Sequence, residues 1–589
     1  MKKYVSNFLR ITNNNFYMMR IVYQIDAKYV LVTLLLRVIS GLRTSFLYVY
    51  LLGMVLYCVE NKMEGKYILC FLVLSNLFFA VTFAAEAYYN HTLKPFHRER
   101  ISCRLQQNFF EKLRCADMSN YDQTDTYTMI ALANDEISVR PLLVVDNLFQ
   151  GIECFVATFV IISGTISTSW FVFGICVVSF LAGIFITNVM SKKIVQHDEV
   201  IKIKDKKLSL LHRLLYLPDY AKDTRLSRIH DVFLAEYNAV IKEKEEVAEN
   251  DGRKIAKLYL IQKIFCNAFC IDFLIPLCLS IAVLAFGRLS VSAFVIAINA
   301  SAQIQLRLDD LVAAISEYLK NGRFTERIRS IEKIKCDIEE STGDYLLGEM
   351  QEISLKNVSF FYPDGTLGLS GIDLNIRKGD KIAIVGSNGS GKSTLIKLLL
   401  RFYDPTSGAI FQDNTNIKDF DVSAYRSQFG TVFQDFNMYA TTIRNNICMG
   451  GEVNEERIRE ALNKAGLSSD ISDFDVQLTR EFDEDGILFS GGLLQRLALA
   501  RVFYESKDII IMDEPTAALD VFFERKFYDI IFENLKEKTI IFVSHRLSSI
   551  TSCDKIIYME RGRILEEGTH DCLMKLNGGY YELFNAQFN

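Results

Sequence analysis

The chain has 589 residues, of which 50% are hydrophobic and 23% charged, with 66 Lys plus Arg against 71 Asp plus Glu for a formal charge of -5. A pI near 6.0 and a mean hydropathy of +0.15 leave no global basic footprint for nucleic acid. Sparse Gly (31) and Pro (7) exclude collagen-like and disordered chains. The mean is too apolar for an ordinary soluble enzyme and too charged for a wholly embedded protein, so it averages two unlike halves. The thirteen Cys lack zinc-type spacing. Several, such as Cys176, Cys266, Cys270 and Cys278, sit in apolar runs and read as buried small hydrophobes. The start, MKKYVSNFLRITNNN, has neither the apolar core nor the cleavage site of a signal peptide.

In chain order, TNNNFYMMRIVYQID suggests an amphipathic helix on the inner membrane surface. Apolar stretches of spanning length follow at 29–57, 67–90, 142–166, 170–190, 258–286 and 289–306. A spanning helix needs about 20 largely apolar residues; the last stretch is shorter but continues helically through RLDDLVAAISEYLKNGRF. Two long polar segments, 91–141 and 191–257, carry seven and fifteen Lys plus Arg, whereas the short connections hold only Lys62, Lys66 and Arg288. Positive residues stay cytoplasmic, which puts both long segments and both termini inside, the segments as helices continuing below the membrane. Charges fall within or near the spans at Arg37, Arg43, Glu86, Asp146, Glu153 and Asp272. Such charges face the protein interior or a wet cavity and are either functional or interhelical ion pairs. Arg37 and Arg43 are about 120° apart around a helix, so they need not face one cavity.

After a charged linker the character changes. EISLKNVSFFYPDG alternates as a strand, and KIAIVGSNGSGKSTLIKLLLRF reads as a β-branched strand, a glycine loop and an apolar helix. Gly386, Ser387, Asn388, Gly389, Ser390, Gly391, Lys392, Ser393 and Thr394 form G-x-x-x-x-G-K-[ST] and its next residue, in the strand–loop–helix context the motif requires. Glycines let backbone N–H groups turn toward phosphates at a helix N-terminus. Lys392 adds a cation for the β- and γ-phosphates, and Ser393 can ligate Mg²⁺. Further on, DIIIMDEP is an apolar strand tipped by Asp513, which can hold Mg²⁺, and Glu514, placed to act as general base.

These residues resemble the ABC transporters, specifically exporter-type half-transporters, over nearly the whole chain. In the family, Tyr362 matches the aromatic that stacks on adenine. Gln434, in TVFQD, matches the glutamine that touches Mg²⁺ and the attacking water. Phe489-Ser490-Gly491-Gly492-Leu493 stands at the signature LSGGQ, with Ser490, Gly491 and Gly492 as phosphate contacts across a dimer. Ala517-Ala518-Leu519-Asp520 is similar to the loop crossing the dimer interface, and His545 matches the switch histidine. The segments 118–127 and 216–228 correspond to coupling helices. The resemblance implies a multidomain membrane protein: an all-α six-helix transmembrane domain (1–330), a linker (331–350) and an α/β P-loop ATPase domain (351–589).

It further implies ATP and Mg²⁺ as cofactors, a second half-transporter as partner, and a multi-pass place in a cell membrane, the cytoplasmic membrane of a bacterium, with the ATPase domain inside. The signature departs from the family at Phe489 and Leu493, and REFDEDG stands where TEVGERG is usual. These differences leave two readings, tolerated drift in a homodimer, which is preferred, or a heterodimer with one impaired site. The leading function is ATP-driven export or flipping of an amphipathic peptide, lipid or drug. The alternatives are an importer of iron chelates with the same fold, or a regulatory or channel-like ATP-binding protein. Nucleic acid is not expected as a partner.

Overall fold

The computed structural model describes residues 2–588 except 169, 218–219, 285–289, 335, 337, 339–347, 481–482, 516–520 and 545. It divides into two compact units, residues 1–111 with 129–333, and residues 112–128 with 334–589.

The first unit is helical. Its long helices are α1 (Lys2–Ile25), α2 (Ala27–Glu60), α3 (Gly65–Arg114), α4 (Arg140–Thr168), α5 (Trp170–Tyr216), α6 (Ile229–Ile281) and α7 (Val291–Ser330). Among the described residues, α2, α3, the segment Arg140–Ile162 of α4, and α6 are long and apolar enough to cross a membrane, and Val291–Ile304 is a shorter apolar stretch. The expected span at 170–190 is the first part of α5, which runs on for 47 residues. The expected continuation of spans into long helices is thus found in α3, α5, α6 and α7. Short helices, Ser119–Asp122 and Ala221–Leu226, fall within the two segments matched to coupling helices.

Small residues let α2 and α4 approach closely: a Cβ on Gly41 would lie 2.8 Å from the Glu153 carbonyl oxygen, and Ser45 Oγ reaches the Ala157 carbonyl at 3.2 Å. Close packing of this kind, rather than hydrophobicity, holds helices together in lipid. One side of α1 is covered by protein, while Leu9, Phe16 and Tyr23 on the same helix stay exposed: Met18 and Val22 are buried, and Asn14 and Asn15 donate to the Gly322 and Tyr318 carbonyls of α7 at 3.0 and 2.9 Å. Two buried asparagines demand partners that a lipid surface does not offer.

Most of the charges expected within or near the spans form ion pairs between helices. Arg37 donates to Glu153 at 2.9 Å, and Ser40 donates to the other carboxylate oxygen at 2.7 Å. Arg43 pairs with Glu86 at 2.5 Å, its guanidinium 3.7 Å from the Phe83 ring centroid. Asp146 accepts from Lys94 at 2.9 Å, and Asp272 is exposed. Arg37 and Arg43 therefore do serve different helices. Arg43 is 4% exposed, so Glu86→Ala would strand a buried cation, at a cost of about 3 kcal/mol. Thermal unfolding of the full chain in detergent should show a lowered midpoint for Glu86→Ala and substantial recovery in Arg43→Met/Glu86→Leu. No recovery would mean that the charges, rather than their pairing, are what the fold requires.

The second unit carries strands β1 (Glu352–Phe361), β2 (Leu367–Arg377), β3 (Lys381–Gly386), β4 (Ser407–Gln412), β5 (Thr415–Asn416), β6 (Phe429–Val432), β7 (Ile509–Asp513), β8 (Thr539–Val543), β9 (Lys555–Glu560) and β10 (Arg563–Gly568). An antiparallel sheet has the order β2-β1-β4-β5, and a second sheet the order β10-β9-β3-β8-β7-β6, parallel except at β10. Its central strands are buried on both faces. Ile382, Ile384, Ile509, Ile511, Ile541 and Val543 join the core shared with the antiparallel sheet. Ala383, Val385, Ile510, Met512, Ile540 and Phe542 join the opposite core with Ile443, Ile458 and Leu497. Strands buried on both sides read as unbroken apolar runs, which is why KIAIVG and DIIIMD are legible. The helices that matter for the site are α8 (Lys392–Leu399) and α9 (Gly491–Glu505).

Candidate functional site

In an open parallel sheet, ligands bind beyond the carboxyl ends of the strands. Parallel pairing aligns Ile384 of β3 with Val543 of β8, Val543 with Asp513 of β7, and Met512 with Val432 of β6. The phosphate loop after β3, the Asp513–Glu514 tip of β7 and Gln434, two residues beyond β6, therefore leave one edge of one sheet.

The loop is built by its glycines. Gly386, Gly389 and Gly391 have φ of +150°, +76° and +103°, conformations that side chains resist. A Cβ on Gly386 would lie 2.1 Å from the Met559 carbonyl oxygen. Ser387, Asn388 and Gly389 are exposed at the loop crest, and Ser393 presents an exposed hydroxyl at the start of α8. Lys392 is buried and donates to the Gly386 and Ser387 carbonyls at 3.0 and 2.9 Å. Burial lowers its pKa from the ordinary lysine value, partly opposed by Glu514 and Asp513. Thr394 Oγ1 lies 2.9 Å from the Tyr362 hydroxyl, which ties the aromatic of the antiparallel sheet to the phosphate-loop helix.

At the tip of β7 the Asp513 carboxyl is pushed up to about 6, first by burial, then by Glu514, with Asp435 adding to the rise and Lys392 opposing it. A raised carboxyl pKa means that the folded protein takes up a proton relative to the unfolded chain, so stability falls as pH rises from about 4 to about 6, and the deficit persists above. In nucleotide-free, Mg²⁺-free protein, Asp513→Asn should raise the thermal midpoint at pH 7.5 and lose that advantage as the pH is lowered below 6. An advantage independent of pH would contradict the assignment. Glu514 has φ +47°, its N–H donating to the Val543 carbonyl at 2.9 Å, and the buried Gln495 side chain donates to the Pro515 carbonyl.

The signature begins α9. Ser490, the N-cap residue, and Gly491 are exposed, and Gly492 is half-buried. No side-chain bond caps this helix start, so its first N–H groups are available to an anion. Phe489 and Leu493 pack against the core. The residues that depart from the family are thus on the packing side, and the Ser-Gly pair is on the open side. His545 and Ala517-Ala518-Leu519-Asp520 lie outside the described residues.

Among the described residues no three His, Cys, Asp or Glu cluster to hold a metal by themselves. The Asp513 carboxylate, the exposed Ser393 hydroxyl and the Gln434 amide are a hard oxygen set, suited to Mg²⁺ that keeps phosphate and water as its remaining ligands. Two residues near the site escaped the sequence reading. Gln495, two residues past the signature, is buried, and its bond to Pro515 connects the signature helix to the turn of Glu514. Tyr403, in RFYDP, belongs to no local motif, yet its ring lies 5.9 Å from that of Tyr362.

Residues 369–517 match the ABC transporter family. Relatives of this chain include the ATP-dependent lipid A-core flippase of Coxiella burnetii, 39% identical over 43% of this chain and 44% of that protein. Another is the mitochondrial iron-sulfur clusters transporter ATM1 of Chaetomium globosum, 36% identical over 51% of each. The matches to these curated relatives span about half of their length. A solved structure of a bacterial Atm1-family ABC exporter with ATP bound superposes with a TM-score of 0.76 at 22% identity, covering 95% of this chain and 97% of that one. The class is therefore an ABC-type ATP-binding domain following a helical unit whose helices include several long and apolar enough to cross a membrane. In particular, the fold is shared over nearly the whole chain with that Atm1-family structure.

Proposed function

We propose that the protein is an ATP-driven exporter or flippase of an amphipathic substrate. Residues 1–330 form its membrane domain, 331–350 its linker and 351–589 its ATPase, which with both termini faces the cytoplasm of a bacterium. The observation that carries the ATPase reading is the single sheet edge that unites the phosphate loop, Asp513–Glu514 and Gln434. Backbone N–H groups of residues 386–391 and the Lys392 ammonium hold the β- and γ-phosphates, while Tyr362 stacks on adenine. Asp513, Ser393 and Gln434 hold Mg²⁺, which supplies charge neutralisation on the phosphates when bound. Glu514 takes the proton of the attacking water as the γ-phosphoryl leaves ADP, and His545 contacts the γ-phosphate.

For cargo, the membrane unit offers a cavity of about 760 Å³ between α2, α3 and α4, lined by Phe46, Tyr50, Phe71, Phe78 and Phe79, with Arg43 as its charged wall residue. A largely open, aromatic-lined groove that carries Arg43 and Ser75 suits an amphipathic molecule. Ser490 and Gly491 open to solvent while Phe489 and Leu493 pack inward favour a competent signature and hence a homodimer.

The test is ATPase activity of this chain alone in lipid nanodiscs, with the particle mass measured on the same sample. Robust turnover by a two-copy particle supports the proposal. A monomer or an inert dimer would replace the homodimer with a heterodimer.

A further inference from the structure

We propose that Tyr403 is a positioning residue for ATP, through which Asp122 of the 112–128 segment sets the ring of Tyr362; this rests on the reading that Tyr362 stacks on adenine. The 112–128 segment belongs to the same compact unit as the ATPase fold, although 281 residues of chain separate Asp122 from Tyr403. The Tyr403 hydroxyl donates to Asp122 Oδ2. The segment is held a second time, where the Ile338 N–H donates to Asp117 Oδ1 at 3.1 Å.

From Tyr403 the contact continues through rings. Its centroid lies 5.9 Å from that of Tyr362 at an interplanar angle of 74°, and 5.2 Å from that of Phe360. Phe360 in turn meets Tyr362 edge-on at 5.0 Å. Edge-to-face pairs at these separations fix ring orientation as well as burying area. The Lys397 ammonium lies 5.7 and 5.8 Å from the Tyr362 and Tyr403 centroids. Gly368 packs beside Tyr362: a Cβ there would lie 2.9 Å from Thr394 Cγ2 and 3.3 Å from Tyr362 Cε2.

Tyr403 is 5% exposed, and burial together with Asp122 raises its pKa far above neutral, so it remains a donor. Among the neighbours that locate the Tyr362 ring are Thr394 from the phosphate-loop helix, Phe360 from β1, and Tyr403. Of these, Tyr403 alone is bonded to the 112–128 segment. A displacement of Asp122 reaches the adenine-stacking ring through one hydrogen bond and one ring contact. The consequence is specific to the base: the phosphate contacts do not pass through Tyr403.

The experiment measures binding of ATP and of inorganic tripolyphosphate to the full chain in nanodiscs, for Tyr403→Phe, Asp122→Ala, Asp122→Asn, Tyr362→Ala and Tyr403→Phe/Tyr362→Ala. Tyr403→Phe keeps the ring and its packing, so the fold is retained. Tyr403→Phe and Asp122→Ala should weaken ATP binding about 3- to 10-fold, the range for one lost hydrogen bond. Asp122→Asn, which still accepts, should restore it, and tripolyphosphate binding should be unchanged throughout. In the Tyr362→Ala background, Tyr403→Phe should add nothing. Equal weakening for tripolyphosphate, additive losses in the double variant, or wild-type ATP affinity in Tyr403→Phe would each overturn the positioning role. Wild-type ATP affinity in Tyr362→Ala would overturn the stacking reading itself, and this proposal with it.

Discussion

A Glu514→Gln protein should bind ATP with unchanged affinity and lose about 10²- to 10⁴-fold in turnover, the range for removal of a positioned general base. Glutamine has the shape of glutamate, so the left-handed turn at φ +47° and the N–H bond to the Val543 carbonyl are preserved. What disappears is the capacity to accept a proton from water. A non-glycine residue in this backbone region costs on the order of 1–3 kcal/mol; here the turn is supported by Gln495, whose side chain donates to the Pro515 carbonyl. Single-turnover and steady-state hydrolysis in nanodiscs, beside equilibrium ATP binding, make the check. Sustained turnover in Glu514→Gln would remove Glu514 from the role of base. Weakened ATP binding would instead indicate that the carboxylate organises the nucleotide.

Lys392→Ala should weaken ATP binding about 10- to 100-fold, because charge-assisted hydrogen bonds contribute about 1.5–3 kcal/mol each. The nucleotide-free fold should survive it. Lys392 is 6% exposed, its ammonium bonded to two loop carbonyls, and its pKa is lowered by burial. An ammonium this strongly desolvated contributes little net stability to the empty protein. The thermal midpoint without nucleotide should therefore stay close to the wild-type value. The rise on adding ATP, which follows the ratio of ligand concentration to Kd, should shrink or vanish. A normal ATP-dependent rise would contradict the phosphate-loop assignment. A collapsed nucleotide-free midpoint would show that Lys392 acts as a structural tie.

The phosphate loop was legible because each requirement is local: Gly386, Gly389 and Gly391 adopt positive φ, and the strand before and the helix after follow from periodicity. The membrane half was legible by length and apolarity, and its internal charges announced themselves by their cost. Their partners did not. That Arg37 meets Glu153 while Arg43 meets Glu86 depends on how α2 packs against α4 and α3. The signature is the instructive case. Phe489 and Leu493 read as departures open to drift or to an impaired site, and both pack against the core, because the orientation of a helix start is set by the residues it packs on, far away in the chain.

The sequence by itself determined an apolar helical part ahead of an α/β part, the glycine loop, the Asp513–Glu514 strand tip and the long helical runs of the apolar segments, all of which rest on patterns local in the chain. Tertiary structure alone decided which charges pair across the membrane helices, that α1 lies against α7 through Asn14 and Asn15, and that Asp122 reaches Tyr403. The physical reason is the range of the forces. Backbone conformation and hydrophobic period are dictated by neighbours in sequence, whereas a buried hydrogen bond between residues 281 positions apart exists only once the intervening elements have packed.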